Sequence, residues 1–212
     1  MEFDPAKVPM QTVYNLLVGL VAPRPIALVT SMDVDGRMNA APFSSYNYLC
    51  REPPILGLGI VNRPGRTLVP KDTSRNIRRT GEFVVNVVTE DLMEKMNICS
   101  TEFPEEVNEL ELAGLTTAPS QHVKVPRIAE AHAAFECVEH LTIEIGETRI
   151  VLGRVVGIYV EDQFIDSAGP YVKADEMHQV GRMNGKGLYV HTRDALMTMP
   201  RISYEAWQRG ER

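Results

Sequence analysis

Residues Lys71-Asp72-Thr73-Ser74-Arg75-Asn76 hold the densest potential chemistry in the chain. They follow the apolar run Ile55–Val61 across the loop Asn62-Arg63-Pro64-Gly65-Arg66. A strand that gives way to a cationic, hydroxyl-rich helix start is the outline of a phosphate socket. The first-turn N–H groups of a helix have no internal partners, and the macrodipole adds positive potential there. Asp72 or Thr73 is expected to cap that turn, with Lys71 and Arg66 supplying countercharge. Asp72 would repel a phosphate if it pointed inward. It is therefore expected to face the helix backbone or Arg75, leaving Thr73 and Lys71 for the anion. The alternative is a plain capped helix with solvated charges.

Two other clusters are more open. His178 and Arg182 would share one face of a helix, or one side of an extended segment. The alternative is a surface loop in which Gly181, Gly185 and Gly187 make the turns. Arg24, between Pro23 and Pro25, suits either a fixed contact or a simple lead into a strand. Several chemistries are not expected. His122, His132, His140 and His191 are scattered, with no H-E-x-x-H or three-histidine spacing, so no metal site is read. Asp33-Val34-Asp35-Gly36 begins like a calcium loop, but Ser44 stands where such a loop needs its final Glu. No G-x-S-x-G element is present, and Gly57-Leu58-Gly59 lacks the third glycine and the βαβ setting of a dinucleotide fingerprint. Cys50, Cys99 and Cys137 are widely separated and odd in number, as expected of reduced thiols in a cytosolic protein.

The elements that must position these groups are mostly strands. Ile26–Ser31 is expected as a strand and Asp33–Gly36 as a hairpin turn. Met38–Ala41 leads away from that turn, and Phe43–Leu49 is extended. In Ile55–Val61, Leu56, Leu58 and Ile60 point one way, and Gly57 and Gly59 the other. Missing side chains on one face mark either close approach of a ligand or backbone, or tight strand packing. Ser74–Thr80 continues the socket helix, Gly81 stops it, and Phe83–Val88 is a buried strand. Thr12–Val18 is expected as a short helix with Val13, Leu16, Leu17 and Leu20 on one side. Glu90–Cys99 is expected as a helix with Leu92, Met93 and Met96 inward, and Glu105–Ala113 as an acidic helical excursion. Phe135–Ile145 and Ile150–Val160 alternate apolar and polar residues about a turn at Gly146-Glu147-Thr148. That pattern predicts a hairpin with one face in the core. Many strands and few long helices favour a closed barrel.

With 212 residues, a single domain over 1–212 is expected. The net charge of −6 argues against nucleic-acid binding. No apolar run is long enough to span a bilayer, and Met1–Pro5 lacks the features of a signal peptide. A cytoplasmic protein with no membrane partner is expected. The acidic segment Glu102–Glu111 and the tail from Arg201 to Arg212 have no evident role beyond covering a ligand or completing a dimer.

The ordered series R-P-I-A-L-V-T-S (24–31), D-G-x-x-N-A-A-P-F-S-S-Y-N (35–47), K-D-T-x-x-N-I (71–77) and G-R-M…Y (181–189) resembles the flavin reductase-like, FMN-binding split-barrel family, which includes flavoredoxin. The resemblance covers most of residues 22–190. It implies a mainly β fold, a six-stranded Greek-key split barrel with peripheral α-helices. It also implies a homodimer with FMN at or near the subunit interface, and NAD(P)H as co-substrate. Electrons would pass to a small-molecule or protein acceptor: a flavin, a ferric complex, oxygen or another protein. On this reading Ala40, Ala41, Pro42 and Phe43 wall the ring. Asn39, Ser44, Ser45 and Asn47 offer donors and acceptors, for which a polar strand face or turn is the alternative. Backbone N–H groups nearby would stabilise charge on the reduced ring. Lys71, Asp72, Thr73 and Asn76 form the phosphate and ribityl site. His178 would touch the flavin or a nicotinamide, and Arg182 the phosphate or a second ligand. No side chain is expected to act as an obligatory acid or base. Three alternatives stand beside this reading. One is a non-catalytic FMN electron carrier and another is a structural dimer without a cofactor. The third is a pyridoxamine-phosphate-oxidase-like enzyme, although only one phosphate socket is convincing.

Overall fold

The computed structural model describes residues 1–63, 69–104, 106–193, 196–197, 199 and 203–210. Its strands are β1 (Ala27–Met32), β2 (Met38–Phe43), β3 (Tyr46–Cys50), β4 (Ile55–Val61), β5 (Glu82–Val87), β6 (Thr117–Ala118), β7 (Arg127–Ile128), β8 (Ala133–Ile145), β9 (Thr148–Val160), β10 (Val180–Arg182) and β11 (Tyr189–His191). Its helices are α1 (Met10–Leu20), α2 (Asp72–Thr80), α3 (Met93–Ile98), α4 (Glu109–Leu112) and α5 (Tyr204–Gln208). Seven strands form one antiparallel sheet in the order β2-β1-β5-β8-β9-β4-β3. β2 and β3 sit at opposite edges of that sheet, yet only Ser44 and Ser45 separate them in sequence. The sheet must therefore curl until its edges meet, which makes it a barrel split along that seam. With 38–50 counted as one bent strand it has six strands, so the expected split barrel with peripheral helices is what forms.

The burial pattern follows from this closure. Ala27, Val29, Phe43, Leu56, Leu58, Ile60, Phe83 and Val85 point into the barrel, and Ile77 of α2 packs among them. The other face of β1 and β2 is covered as well. Ile26, Leu28 and Ala40 pack against Leu92, Met96 and Leu110 from the α3–α4 region. A strand buried on both faces has no polar side to alternate with, hence the continuous run Ile26-Ala27-Leu28-Val29. Asn86 holds the outer layer to the barrel: it donates to the Leu28 carbonyl at 2.9 Å and accepts from the Ile128 N–H at 2.8 Å. Gly57 and Gly59 mark strand packing. A Cβ at Gly57 would meet the Leu49 side chain at 2.4 Å, and one at Gly59 would meet Ser45 Cβ at 3.0 Å. β3 thus folds tightly over β4.

Several expectations need correction. In the β8–β9 hairpin, Leu141, Ile143 and Ile145 are 42–60% exposed. The hairpin's outer half therefore presents its apolar face outside this chain's core. Glu136, expected on a polar face, is buried and accepts the N–H groups of Gln121 and His122. Register shifts at Glu136/Cys137 and Glu139/Leu141 break the alternation, as a bulge must. The first helix forms over Met10–Leu20 with no buried residue, and Leu17 and Leu20 face outward. The acidic excursion is helical only over Glu109–Leu112, and Glu105 lies outside the described residues.

Candidate functional site

α2 starts where β4 has delivered the chain to one end of the barrel. Its N-cap residue is Lys71, and no side chain caps it. The expected cap from Asp72 or Thr73 does not form, because both side chains are used elsewhere. Asp72 is held between Arg63 and Arg75. Thr73 is 1% exposed, and its hydroxyl oxygen accepts from Asn39 Nδ2 at 3.0 Å. Asn39 and Asn76 both approach Ser31 Oγ, at 3.5 and 3.3 Å. This buried polar network ties the helix start to β1 and β2 beside the cleft that Lys71, Asp72 and Thr73 line. Gly81, at φ 74°, ends the helix by returning its N–H to the Ile77 carbonyl, a backbone conformation that glycine permits. Arg66, expected as a countercharge, lies outside the described residues; Arg63 stands at the socket instead.

The socket opens into a cleft of about 90 Å³ lined by Asn39, Ala41, Pro42, Phe43, Lys71 and Thr73 on one side. Ser100, Thr101, Glu102 and Phe103 line the other. Lys71 Nζ lies 3.8 Å from Glu102. Glu109 also faces the cleft, and its carboxylate accepts the Ala40 N–H at 3.2 Å. Burial pushes the Glu109 carboxyl above the usual range; the nearby Asp72 charge adds to this and the Ala40 N–H opposes it. Burial, with the Glu109 charge, also pushes the Cys99 thiol up to about 12, so Cys99 stays protonated. Of the backbone N–H groups near the wall, that of Ala40 is thus already taken.

Across Pro42 and Ser100 this cleft adjoins a wider one of about 600 Å³. Ile26, Met93, Met96, Tyr14 and Tyr189 give it apolar walls, and Arg24, Arg182 and Ser44 line it too. The structure therefore brings Asn39, Ala41, Pro42, Phe43, Lys71, Asp72 and Thr73 to one cleft, and Ser44 and Arg182 to its neighbour. Ala40 is buried behind the wall. Asn76 lines a small hollow behind the socket. Ser45 is exposed on the turn into β3, and Asn47 is exposed within β3, where it accepts the Tyr48 N–H. His178 is exposed at φ 49°, before β10 begins. It lines a separate hollow with Glu90, Asp91, His132 and Phe164, so His178 and Arg182 share neither a helix face nor a cleft. Among the described residues, no group of three or more His, Cys, Asp or Glu is placed to hold a metal ion. Arg63 and residues 100–101 join the site by tertiary packing, and Glu102, Phe103 and Glu109 bring to the cleft part of the acidic segment expected to cover a ligand or complete a dimer.

A sequence profile of the flavin reductase-like domain matches residues 20–180. The chain belongs to the flavin reductase-like family. Nitrilotriacetate monooxygenase component B from Bacillus cereus is similar over 93% of this chain and 98% of its own, with 29% identity and a TM-score of 0.87. The 2-nitrobenzoate 2-nitroreductase of Pseudomonas fluorescens is similar over 94% and 96%, with 34% identity and a TM-score of 0.84. Flavoredoxin of Desulfovibrio vulgaris shares the fold over 84% and 91%, with 21% identity and a TM-score of 0.73. Within this flavin reductase-like domain, the socket and both clefts are built from the matched region together with α1 and the β10–β11 ribbon. Among the described residues, no helix is long and apolar enough to cross a membrane.

Proposed function

We propose that this flavin reductase-like protein is an FMN-dependent oxidoreductase that takes electrons from NAD(P)H and passes them to a flavin, ferric or protein acceptor. One observation carries the reading: an uncapped helix start with Lys71 and Thr73 opens directly onto the small-residue wall Ala41–Pro42. The donor set fits a phosphate monoester. First-turn N–H groups, Lys71 and Arg63 face the cleft, while Asp72 is neutralised by its two arginines. When bound, FMN supplies the hydride and electron chemistry. The protein's part is to anchor and orient it. Thr73 and Asn39 fix the socket against the wall, and Pro42 offers a flat apolar surface. The names of the two more similar neighbours, a monooxygenase component and a nitroreductase, favour a reductase over a passive carrier.

The exposed apolar face of the β8–β9 hairpin supports a homodimer in which a second copy covers Leu141, Ile143 and Ile145. Three free cysteines are in keeping with a reducing, cytosolic setting. Lys71→Ala combined with Thr73→Val should weaken FMN binding roughly tenfold or more in a fluorescence titration, since charge-assisted hydrogen bonds contribute about 1.5–3 kcal/mol each. Riboflavin affinity should change far less, and unchanged FMN affinity would remove the socket assignment. Rapid mixing with NADH and NADPH separates reductase from carrier: fast flavin bleaching by either supports the reductase, and bleaching only by a protein donor supports the carrier.

A further inference from the structure

Arg24 and Arg182 are far apart in sequence but stand directly opposite each other. They form an isolated antiparallel bridge, each donating its backbone N–H to the other's carbonyl at 2.9 Å. The bridge is tightly packed, since a Cβ at Gly181 would lie 2.9 Å from Pro23 Cβ. Like charges directly opposite on paired backbones repel. This chain, at net charge −6, has carboxylates to spare. Yet among the described residues neither arginine is in an ion pair, although Glu94 lines the same cleft. Their guanidinium groups are held only by neutral partners. Arg24 donates to the carbonyls of Val18 and Val21 at the end of α1, and Arg182 to the Asn184 carbonyl and the Tyr189 hydroxyl. The Arg182 guanidinium also lies 4.6 Å from the Tyr189 ring centre.

Two oriented cations that are in no ion pair among the described residues, inside a cleft of about 600 Å³ with both apolar and polar walls, are a built anion receptor. The rings of Tyr14 and Tyr189 and the side chains of Met93 and Ile26 add flat and apolar surface. The phosphate socket is a separate place, reached only across Pro42 and Ser100. We infer that the Arg24–Arg182 cleft is a second-ligand site for a small planar aromatic carboxylate, its carboxylate on the paired guanidinium groups and its ring between the tyrosines. That this ligand is an electron acceptor rests on the flavin reading; the site itself does not.

The test uses benzoate and its neutral isostere benzamide as probes, by calorimetry on the full chain with and without FMN. Benzoate should bind roughly tenfold or more tighter than benzamide, because the charge-assisted contacts are lost in the amide. Arg182→Gln should remove that preference while leaving FMN affinity within about twofold. Arg182→Lys, which keeps the charge but loses the planar fork, should recover part of it. Melting curves confirm that each variant is folded. Equal binding of the two probes, or no binding of either, overturns the assignment. So does an Arg182→Gln variant that weakens FMN and not benzoate, since the arginines would then serve the flavin's own phosphate. If FMN fails to bind but benzoate is still selected, the flavin reading falls and the anion site stands.

Discussion

Glu109→Gln should uncouple phosphate binding from proton uptake. Among the described residues at the socket, Lys71, Arg63 and Arg75 balance Asp72, Glu102 and Glu109, so a phosphate there meets three cations matched by three carboxylates. Asp72 is pinned between two arginines, and Glu102 is 60% exposed and screened by solvent. Glu109 is the acid that can yield. It faces the cleft through α4 and accepts the Ala40 N–H there, and burial already holds its carboxyl above the usual range. A phosphate beside it raises that value further. Between the free and bound values each FMN takes up at most one proton, so affinity should fall by at most about tenfold per pH unit as pH rises, and flatten outside that window. The second ionisation of the phosphate itself, near pH 6, acts in the opposite direction. Riboflavin lacks both effects and is the control. The side-chain amide oxygen of the Glu109→Gln variant can still accept the Ala40 N–H, so the wall should hold. Calorimetric titration of FMN in two organic buffers of different ionisation enthalpy reads the proton count directly. Wild type should take up a fraction of a proton to one proton, and Glu109→Gln close to none. Equal uptake in both proteins would refute this account of the socket. The same raised carboxyl sets a stability signature in the ligand-free protein. Its contribution is fully present below the unfolded value near 4.3 and lost as pH rises through the folded one, and the variant should lack that loss.

Gly153→Ala would place a methyl 2.2 Å from Phe83 Cζ and 3.3 Å from Cys137 Cβ in the barrel interior. It should cost about 1–3 kcal/mol in urea unfolding, and an unchanged midpoint would show that β9 and β5 are not closely packed there. Leu141→Lys with Ile143→Lys should convert a dimer to a monomer in light scattering without lowering the barrel's own stability, since both side chains are largely exposed in the single chain. A variant that keeps the wild-type mass would place the subunit contact elsewhere.

What was legible in the sequence was what local pattern determines. The strands around Ile26–Ser31, Ile55–Val61 and Phe83–Val88 appear within a residue or so of expectation, because buried β-branched runs bounded by turns have few alternatives. The start of α2 was legible for the same reason: Lys71 to Ile77 is one contiguous N-cap and helix. Alternation fared less well in the β8–β9 hairpin. A period of two marks which side is apolar, but it does not say what covers that side. Glu136 stays on the side away from the barrel interior, with Ala134 and Val138, and is buried because the 121–125 segment covers that side. The two features that most shape the site lay beyond local reading. Glu109 reaches Ala40 across 69 positions, from a helix of four residues in the acidic segment expected only to cover a ligand or complete a dimer. Arg24 and Arg182 meet only because Pro23 packs on Gly181 and holds the last ribbon against the start of β1. Both contacts draw their chemistry from what faces them: a carboxylate is driven towards its neutral form by burial, and two cations stand together without an anion. Charge in this barrel therefore informs about ligands where tertiary packing leaves it uncompensated, and that property belongs to the fold and not to any segment of the chain.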